Sequence, residues 1–218
     1  LENRLKDKTF LRQPFGDSWE EYSYGEVGRQ ARKLASGLKS LGLRENAHIG
    51  LISKNCREWV IADLAIMMAG YISVPFFANL TSKELNNLLD FGDVDLLIVG
   101  KVEDWENQKK GVPKEMPIIS FPNYKGCSNV KEGYQWFDFI GKHKPIEKCH
   151  QPKLDDTWTI IFTSGTTGDP KGVVLTYLAL DKTKLIHSQS NPLKVDFNGK
   201  NQFISYLPLN HIAERVVV

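Results

Sequence analysis

A run of small, hydroxyl-bearing residues followed by a lysine separates two apolar stretches of the chain. The residues concerned are Thr163, Ser164, Gly165, Thr166, Thr167, Gly168 and Lys171. Such residues fill a hydrophobic core poorly but surround a phosphate group well. Glycines let backbone N–H groups approach an anion, hydroxyls donate to its oxygens, and a lysine ammonium adds positive charge. The run therefore predicts a phosphate-binding loop.

Two other interpretations of this loop must be weighed. A glycine-rich pattern alone is weak evidence, and a surface turn with an unrelated lysine has the same composition. The apolar strands predicted at 157–163 and 173–176, on either side of the loop, favour phosphate binding. The P-loop of common NTPases needs glycine directly before the lysine, serine or threonine after it, and then a helix. Lys171 instead follows Pro170, precedes Gly172 and leads into a β-rich run, so the P-loop is excluded.

The segment TSGTTGDPKGVVLT at 163–176 resembles the phosphate-loop signature of the adenylate-forming superfamily. That superfamily includes acyl-CoA synthetases, luciferases and peptide-synthetase adenylation domains. The resemblance extends to the N-terminal landmarks of the family, which match residues 19–24, 55–59, 63–65, 70–75 and 81–85. Almost the whole chain is covered.

A second motif, YLPLNHIAER at 206–215, resembles a segment that long-chain fatty acyl-CoA synthetases carry after the phosphate loop. In those enzymes the histidine-bearing loop lines the acyl and adenylate pocket. The resemblance therefore implies that His211 faces the active site and that Glu214 and Arg215 begin the next helix. Outside such a motif, a single histidine is more often a structural residue.

The chain departs from the family pattern just after the phosphate loop. It has Tyr177 and Ala179 where histidine and asparagine are common. We expect these changes to affect the start of the next helix rather than the contacts to phosphate.

The resemblance implies an AMP-forming reaction in two steps. A fatty acid carboxylate attacks the α-phosphorus of ATP and releases pyrophosphate, and the coenzyme A thiol then attacks the acyl adenylate and releases AMP. Lys171 would anchor the β- and γ-phosphates, which Mg²⁺ would bridge, and His211 is the second expected catalytic residue. The hydroxyl residues would donate to phosphate, and no metal ligand is assigned. The adenine-, ribose- and metal-binding motifs of the family lie later in the chain.

Alternatives from other classes remain at this stage. The chain could serve an adenylation domain, a ligase for another carboxylic acid, a non-catalytic nucleotide-binding module, or a purely structural α/β domain. Leu1 is not an initiator methionine, and residues 214–218 carry no helix-ending signal, so we expect an N-terminal fragment that is inactive alone. An unpaired sheet edge in such a fragment would favour dimers.

The elements that must position these residues alternate between strand-like and helix-like patterns. Capping boxes, in which Ser23 precedes Glu26 and Thr81 precedes Glu84, predict two helix starts. Strands are predicted at 20–24, 48–53, 71–74, 95–99 and 117–121, with Pro75 ending the third. Strands separated by helices favour an α/β fold with a mostly parallel sheet flanked by helices on both faces.

The polar segment 142–156 is the best internal boundary, and it divides the chain into a first α/β subdomain, 1–150, and a phosphate-loop part, 151–218. The apolar stretch 59–78 contains Asp63, Gly70 and Pro75, which favours a buried helix and strand over a membrane span.

Composition narrows the function classes further. A net charge of +2 over 218 residues is too small to favour nucleic acid as a partner. The three cysteines are odd in number and lack metal-ligand spacing, which favours a reducing, cytoplasmic location. The charged first residues are unlike a signal peptide. Peripheral membrane association remains compatible with fatty acid substrates.

Overall fold

The computed structural model describes residues 2–163, 170–190 and 202–215. The strands are β1 (Thr9–Phe15), β2 (Ser18–Ser23), β3 (His48–Ile52), β4 (Ile72–Phe76), β5 (Val94–Val99), β6 (Ile118–Ser120), β7 (Tyr134–Gln135), β8 (Thr157–Thr163) and β9 (Lys171–Thr176). The α-helices are α1 (Tyr24–Ser40), α2 (Arg57–Ala69), α3 (Ser82–Phe91), α4 (Trp105–Gln108), α5 (Trp136–Gly141), α6 (Tyr177–Ser190) and α7 (Ile212–Arg215).

Seven of these strands form one sheet in the order β7-β6-β5-β3-β4-β8-β9. All neighbours in it are parallel except β8 and β9, which form an antiparallel hairpin. Strands β1 and β2 form a separate two-stranded ribbon. The predicted α/β fold with a mostly parallel sheet is therefore confirmed.

Two apolar clusters cover the two faces of this sheet. One packs α1, α2 and α5 against it and includes the fully buried Trp59 and Trp136. The other packs α3 and α4 and includes Leu85 and Trp105. Helices on both faces explain why the central strands are apolar on both sides, since neither face meets water.

Both predicted capping boxes are formed. The Ser23 side chain accepts from the Glu26 N–H at the start of α1, while the Glu26 carboxylate accepts from the Ser23 N–H. Thr81 and Glu84 do the same for α3. These reciprocal bonds satisfy N–H groups that the first turn of a helix leaves free.

The prediction that Pro75 ends a strand is wrong. Pro75 lies inside β4, where it pairs with Leu51 of β3. The other edge of β4 faces β8, and the pair described there joins Ser73 to Thr159. Among the described residues, Pro75 therefore has no pairing partner in β8. A residue without an N–H is tolerated there.

The apolar stretch 59–78 forms most of α2 and all of β4, as predicted. Gly70 ends α2 in the left-handed conformation, with φ of 80°. Within the described ranges, no helix is long and apolar enough to cross a membrane.

Segment 142–156 contains neither helix nor strand, and β8 beyond it joins the same sheet as β3 to β7. The boundary at 150 stays a prediction.

Candidate functional site

The two flanks of the predicted phosphate loop pair at the loop end of the β8–β9 hairpin. Thr163 is the last residue of β8 and pairs with Lys171, the first residue of β9. The Thr163 hydroxyl donates to the Lys171 carbonyl oxygen at 3.5 Å, and both residues are exposed. The rest of the predicted loop lies outside the described residues, namely Ser164, Gly165, Thr166, Thr167 and Gly168. An exposed hydroxyl and an exposed lysine at one hairpin end fit a phosphate group.

The hairpin ends at the carboxyl edge of the sheet. Because β8 runs parallel to β4, Thr163 lies at the same edge as the carboxyl ends of β3, β4 and β5. Open α/β sheets bind ligands at this edge, where loops and helix starts converge. The residues that follow β3, including Asn55, lie at this edge as well.

Asn55 connects this edge to the histidine-bearing segment. Its Nδ2 donates to the Leu207 carbonyl oxygen at 2.7 Å and to Ser205 Oγ at 3.0 Å. Its Oδ1 accepts from the Leu209 N–H at 3.0 Å. One side chain thus holds three points of a segment about 150 residues later in the chain.

His211 lies at the start of α7 and is exposed. Its N–H donates to the Pro208 carbonyl oxygen at 2.9 Å, and its ring Nδ1 accepts from the Ala213 N–H at 3.2 Å. While Nδ1 accepts this bond, the neutral ring carries its proton on Nε2. The resemblance implied that Glu214 and Arg215 begin the next helix; α7 begins two residues earlier, at Ile212, and contains both. The contacts described for His211 do not include Thr163 or Lys171.

Arg215 forms a buried ion pair with Asp63 of α2. Its Nε and Nη2 donate to the two carboxylate oxygens at 2.9 Å and 2.5 Å, and the side chains are 2% and 10% exposed. A two-point fork of this kind fits the planar guanidinium and is directional. The third nitrogen, Nη1, donates to Thr159 Oγ1 at 2.7 Å.

Two indole rings and a backbone carbonyl complete the surroundings of this arginine. Its guanidinium carbon lies 4.4 Å from the ring centroid of Trp158 and 5.6 Å from that of Trp59. The Thr159 hydroxyl donates in turn to the Ser73 carbonyl oxygen at 2.7 Å. A desolvated charge is favourable only when paired, hydrogen-bonded and packed in this way.

Tyr177, one of the departures from the family pattern, begins α6 beside this pair. Its N–H donates to the Asp156 carbonyl oxygen at 3.1 Å. Burial, followed by the negative charge of Asp63, raises the pKa of Tyr177 to about 12. The hydroxyl therefore stays protonated at neutral pH. Tyr177 is the first residue of α6, the helix after the hairpin.

Sequence reasoning missed the residues that anchor the histidine segment: Asn55, Asp63 and Thr159. A usable signal was present in Asp63, which stands in the apolar helix VIADLAIMMA. A carboxylate that is buried in such a helix needs a cationic or donor partner. Only the tertiary contact identifies that partner as Arg215.

A second buried ionic group lies in segment 55–59, which also contains Asn55. Arg57 Nε donates to Glu58 at 2.9 Å, and the Tyr124 hydroxyl donates to the other Glu58 oxygen. Burial and the Glu58 charge raise the pKa of the nearby Cys56 thiol to about 12, so this cysteine stays protonated. Among the described residues no cluster of three or more His, Cys, Asp or Glu side chains could hold a metal ion.

The fold and the position of the hairpin are typical of α/β proteins that bind nucleotides at the carboxyl edge of a parallel sheet. Residues 2–218 match the family model of the AMP-binding enzyme, and the chain belongs to this family.

Curated relatives of the chain are long-chain acyl-CoA synthetases. It is 33% identical over 205 residues to the peroxisomal long chain acyl-CoA synthetase 6 of Arabidopsis thaliana, covering 88% of this chain and 28% of the relative. It is 29% identical to a long-chain-fatty-acid–CoA ligase of Xenopus laevis, covering 99% of this chain and 30% of that relative. The chain thus spans about a third or less of these relatives.

Solved structures share the fold. A long-chain-fatty-acid-CoA ligase from Archaeoglobus fulgidus superposes with a TM-score of 0.78 at 20% identity, over 99% of this chain and 42% of that one. An anthranilate CoA ligase in complex with anthranoyl-AMP gives a TM-score of 0.72 at 22% identity, over 84% of this chain and 34% of that one.

Proposed function

We propose that the chain is the N-terminal part of an AMP-forming acyl-CoA synthetase that activates a long-chain fatty acid with ATP and transfers it to coenzyme A. The observation that carries the proposal is the meeting of Thr163 and Lys171 at the carboxyl edge of the sheet. The long-chain names of the curated relatives support the choice of substrate class.

In this proposal the residues of the hairpin offset negative charge. Two anions, a carboxylate and a triphosphate, must approach each other, and charge builds on the phosphate oxygens as the bond to pyrophosphate breaks. Lys171 holds the β- and γ-phosphates, while the hydroxyls of Thr163, Ser164, Thr166 and Thr167 donate to phosphate oxygens. Gly165 and Gly168 allow close backbone approach.

Mg²⁺, when bound, would offset the negative charge of the triphosphate. We assign no protein ligand to it. In this proposal His211 lies at the acyl and adenylate side of the same pocket, and its Nε2–H would act as a donor there while Nδ1 accepts from Ala213.

The 218-residue chain is proposed to lack turnover by itself. It spans less than a third of these curated relatives. The family resemblance implies that the adenine and ribose contacts come from later parts of the protein. Its free cysteines support a cytoplasmic location, and peripheral contact with membranes is compatible with fatty acid substrates.

The test is acid-dependent ATP–pyrophosphate exchange by the full-length protein, with carboxylates from acetate to palmitate and with aryl acids such as benzoate. Exchange that rises with long-chain acids supports the proposal. Exchange with aryl or short acids alone replaces it with a ligase for another carboxylic acid. No exchange with any acid indicates a non-catalytic nucleotide-binding module, and turnover by the 218-residue chain alone contradicts the proposed need for the rest of the protein.

A further inference from the structure

Every side-chain nitrogen of Arg215 already makes a hydrogen bond within the protein. Nε and Nη2 are committed to Asp63, and Nη1 is committed to Thr159. The side chain is 2% exposed. An arginine four residues after a site histidine is a natural candidate for phosphate contact, but in the arrangement described its guanidinium is buried and bonded to Asp63 and Thr159 instead.

The three bonds join elements that are remote in sequence. Asp63 lies in the middle of α2, and Thr159 lies in β8, the strand that ends at Thr163 where the predicted phosphate loop begins. Through the Thr159 hydroxyl the connection reaches Ser73 of β4. Arg215 is thus bonded both to the helix that covers the sheet and to the strand that carries the loop.

A second anchor holds the other end of the histidine segment. Asn55, at the carboxyl end of β3, bonds Ser205, Leu207 and Leu209. His211 lies between this anchor and Arg215, and the Arg215 N–H donates to the His211 carbonyl oxygen at 3.3 Å. Asn55 and Asp63, the partners on this side, both belong to the β3–α2 unit, and α2 packs with α1 in the same buried apolar cluster.

We propose that Arg215 is a positioning residue. Together with Asp63, Thr159 and Asn55 it forms a clamp that holds the exposed His211 at a fixed place relative to strand β8, which ends at Thr163. The inference deepens the proposed function and rests on it for the role of His211, while the clamp itself is defined by contacts alone. A displacement of about 1 Å in a catalytic group can lower a rate by about 100-fold. A clamp that fixes the position of His211 would therefore affect the rate of adenylation.

The test uses mild variants in the full-length protein, because breaking the Asp63–Arg215 pair directly can prevent folding. Thr159→Val keeps the shape of the side chain and removes the hydroxyl that links Arg215 to Ser73. Thr159→Ser is its matched control and keeps that hydroxyl. Asn55→Asp keeps the acceptor for the Leu209 N–H and removes both donors.

Adenylation is measured by ATP–pyrophosphate exchange with a fatty acid, for each variant alone and combined with His211→Ala. We expect Thr159→Val and Asn55→Asp to lower kcat by about 10- to 100-fold, with KM for ATP changed less than about twofold. Thr159→Ser restores most of the rate. A double variant that also carries His211→Ala should be about as slow as His211→Ala alone, because the clamp acts through that histidine.

Losses that multiply with the loss in His211→Ala overturn the proposal, and so does a His211→Ala variant with a normal rate. A loss of kcat that only follows the folded fraction, measured by circular dichroism, also overturns it.

Hydrogen exchange gives a second readout that does not depend on activity. Asn55→Asp and Thr159→Val are expected to speed amide exchange in residues 205–215, with Thr159→Ser like wild type. Unchanged exchange overturns the clamp. If the wild-type protein shows no ATP–pyrophosphate exchange with any acid, the proposed function fails, and amide exchange alone then decides whether the clamp exists.

Discussion

At the scale of single residues, Lys171 and Thr163 illustrate how a strand pairing can create a binding position. The two are eight residues apart, yet the hairpin register places them opposite each other at one exposed end. Lys171 is exposed, so a phosphate can reach it from solvent.

Lys171→Ala is expected to lower the rate of ATP–pyrophosphate exchange in the full-length protein by about 10²- to 10³-fold, the usual cost of losing one group that stabilises transition-state charge. Lys83→Ala, at an exposed position on α3, is the matched control and is expected to keep the wild-type rate. Undiminished exchange in Lys171→Ala would remove the proposed role of this lysine.

The buried pair of Asp63 and Arg215 is expected to differ sharply from an exposed pair in its contribution to stability. Asp63→Ala leaves a desolvated guanidinium without its partner and should lower the free energy of unfolding by about 3–5 kcal/mol. The comparison is Glu103→Ala, which breaks the exposed pair with Lys54 and should cost less than about 1 kcal/mol. Urea denaturation of both variants checks this, and equal losses would contradict it.

At the scale of elements, capping residues near each other in sequence set the starts of α1 and α3, whereas the extent of some strands depends on contacts with distant parts of the chain. The capping boxes of α1 and α3 follow from four side chains that are near one another in sequence. Strand β1 was missed because Pro14 interrupts its pattern. The ribbon tolerates this proline, since it has only two strands and most of its surface is exposed.

Glu26 of the first capping box gives a prediction for pH. The hydrogen bond from the Ser23 N–H lowers the pKa of Glu26 below its usual value. A carboxyl whose folded pKa is depressed stabilises the fold above its unfolded pKa of about 4.3. That contribution is lost as the pH falls through the folded value.

Glu26→Gln should therefore lower the unfolding free energy at pH 7, and its difference from wild type should shrink as the pH falls below about 4. Urea denaturation at several pH values is the measurement. Glu84→Gln tests the same physics in α3, where bonds from Thr81 lower the pKa of Glu84. A difference that stays constant down to pH 3 would count against this account.

At the scale of the whole molecule, β9 ends the described sheet with apolar side chains in water. Val173 and Val174 are 44% and 57% exposed. An unpaired strand edge with such side chains favours pairing with another chain. We therefore expect the 218-residue chain to self-associate, with an apparent mass that rises with concentration in light scattering.

Val174→Lys places a charge on this strand and should shift self-association to higher concentration. Phe137→Lys is the matched control, since Phe137 is also 57% exposed but lies on α5, far from β9 in the sheet order. A wild-type chain that stays monomeric at millimolar concentration, or a Phe137→Lys effect as large as that of Val174→Lys, would refute the assignment to this edge.

The sequence by itself determined the fold class, the two capped helices, the hairpin strands around the predicted loop and the motif that contains His211. These follow from periodicity, capping residues and ordered motifs, which act over a few neighbouring positions. The assignment of residues 164–168 to a phosphate site rests on the sequence motif at 163–176 alone.

Only the tertiary structure decided that Asn55 and Asp63 hold the histidine segment and that Arg215 is buried instead of facing a ligand. The partners are about 150 residues apart, so no local pattern connects them. Their pairing depends on burial: a carboxylate in an apolar helix and a guanidinium between two indoles are stable only when the fold brings them together.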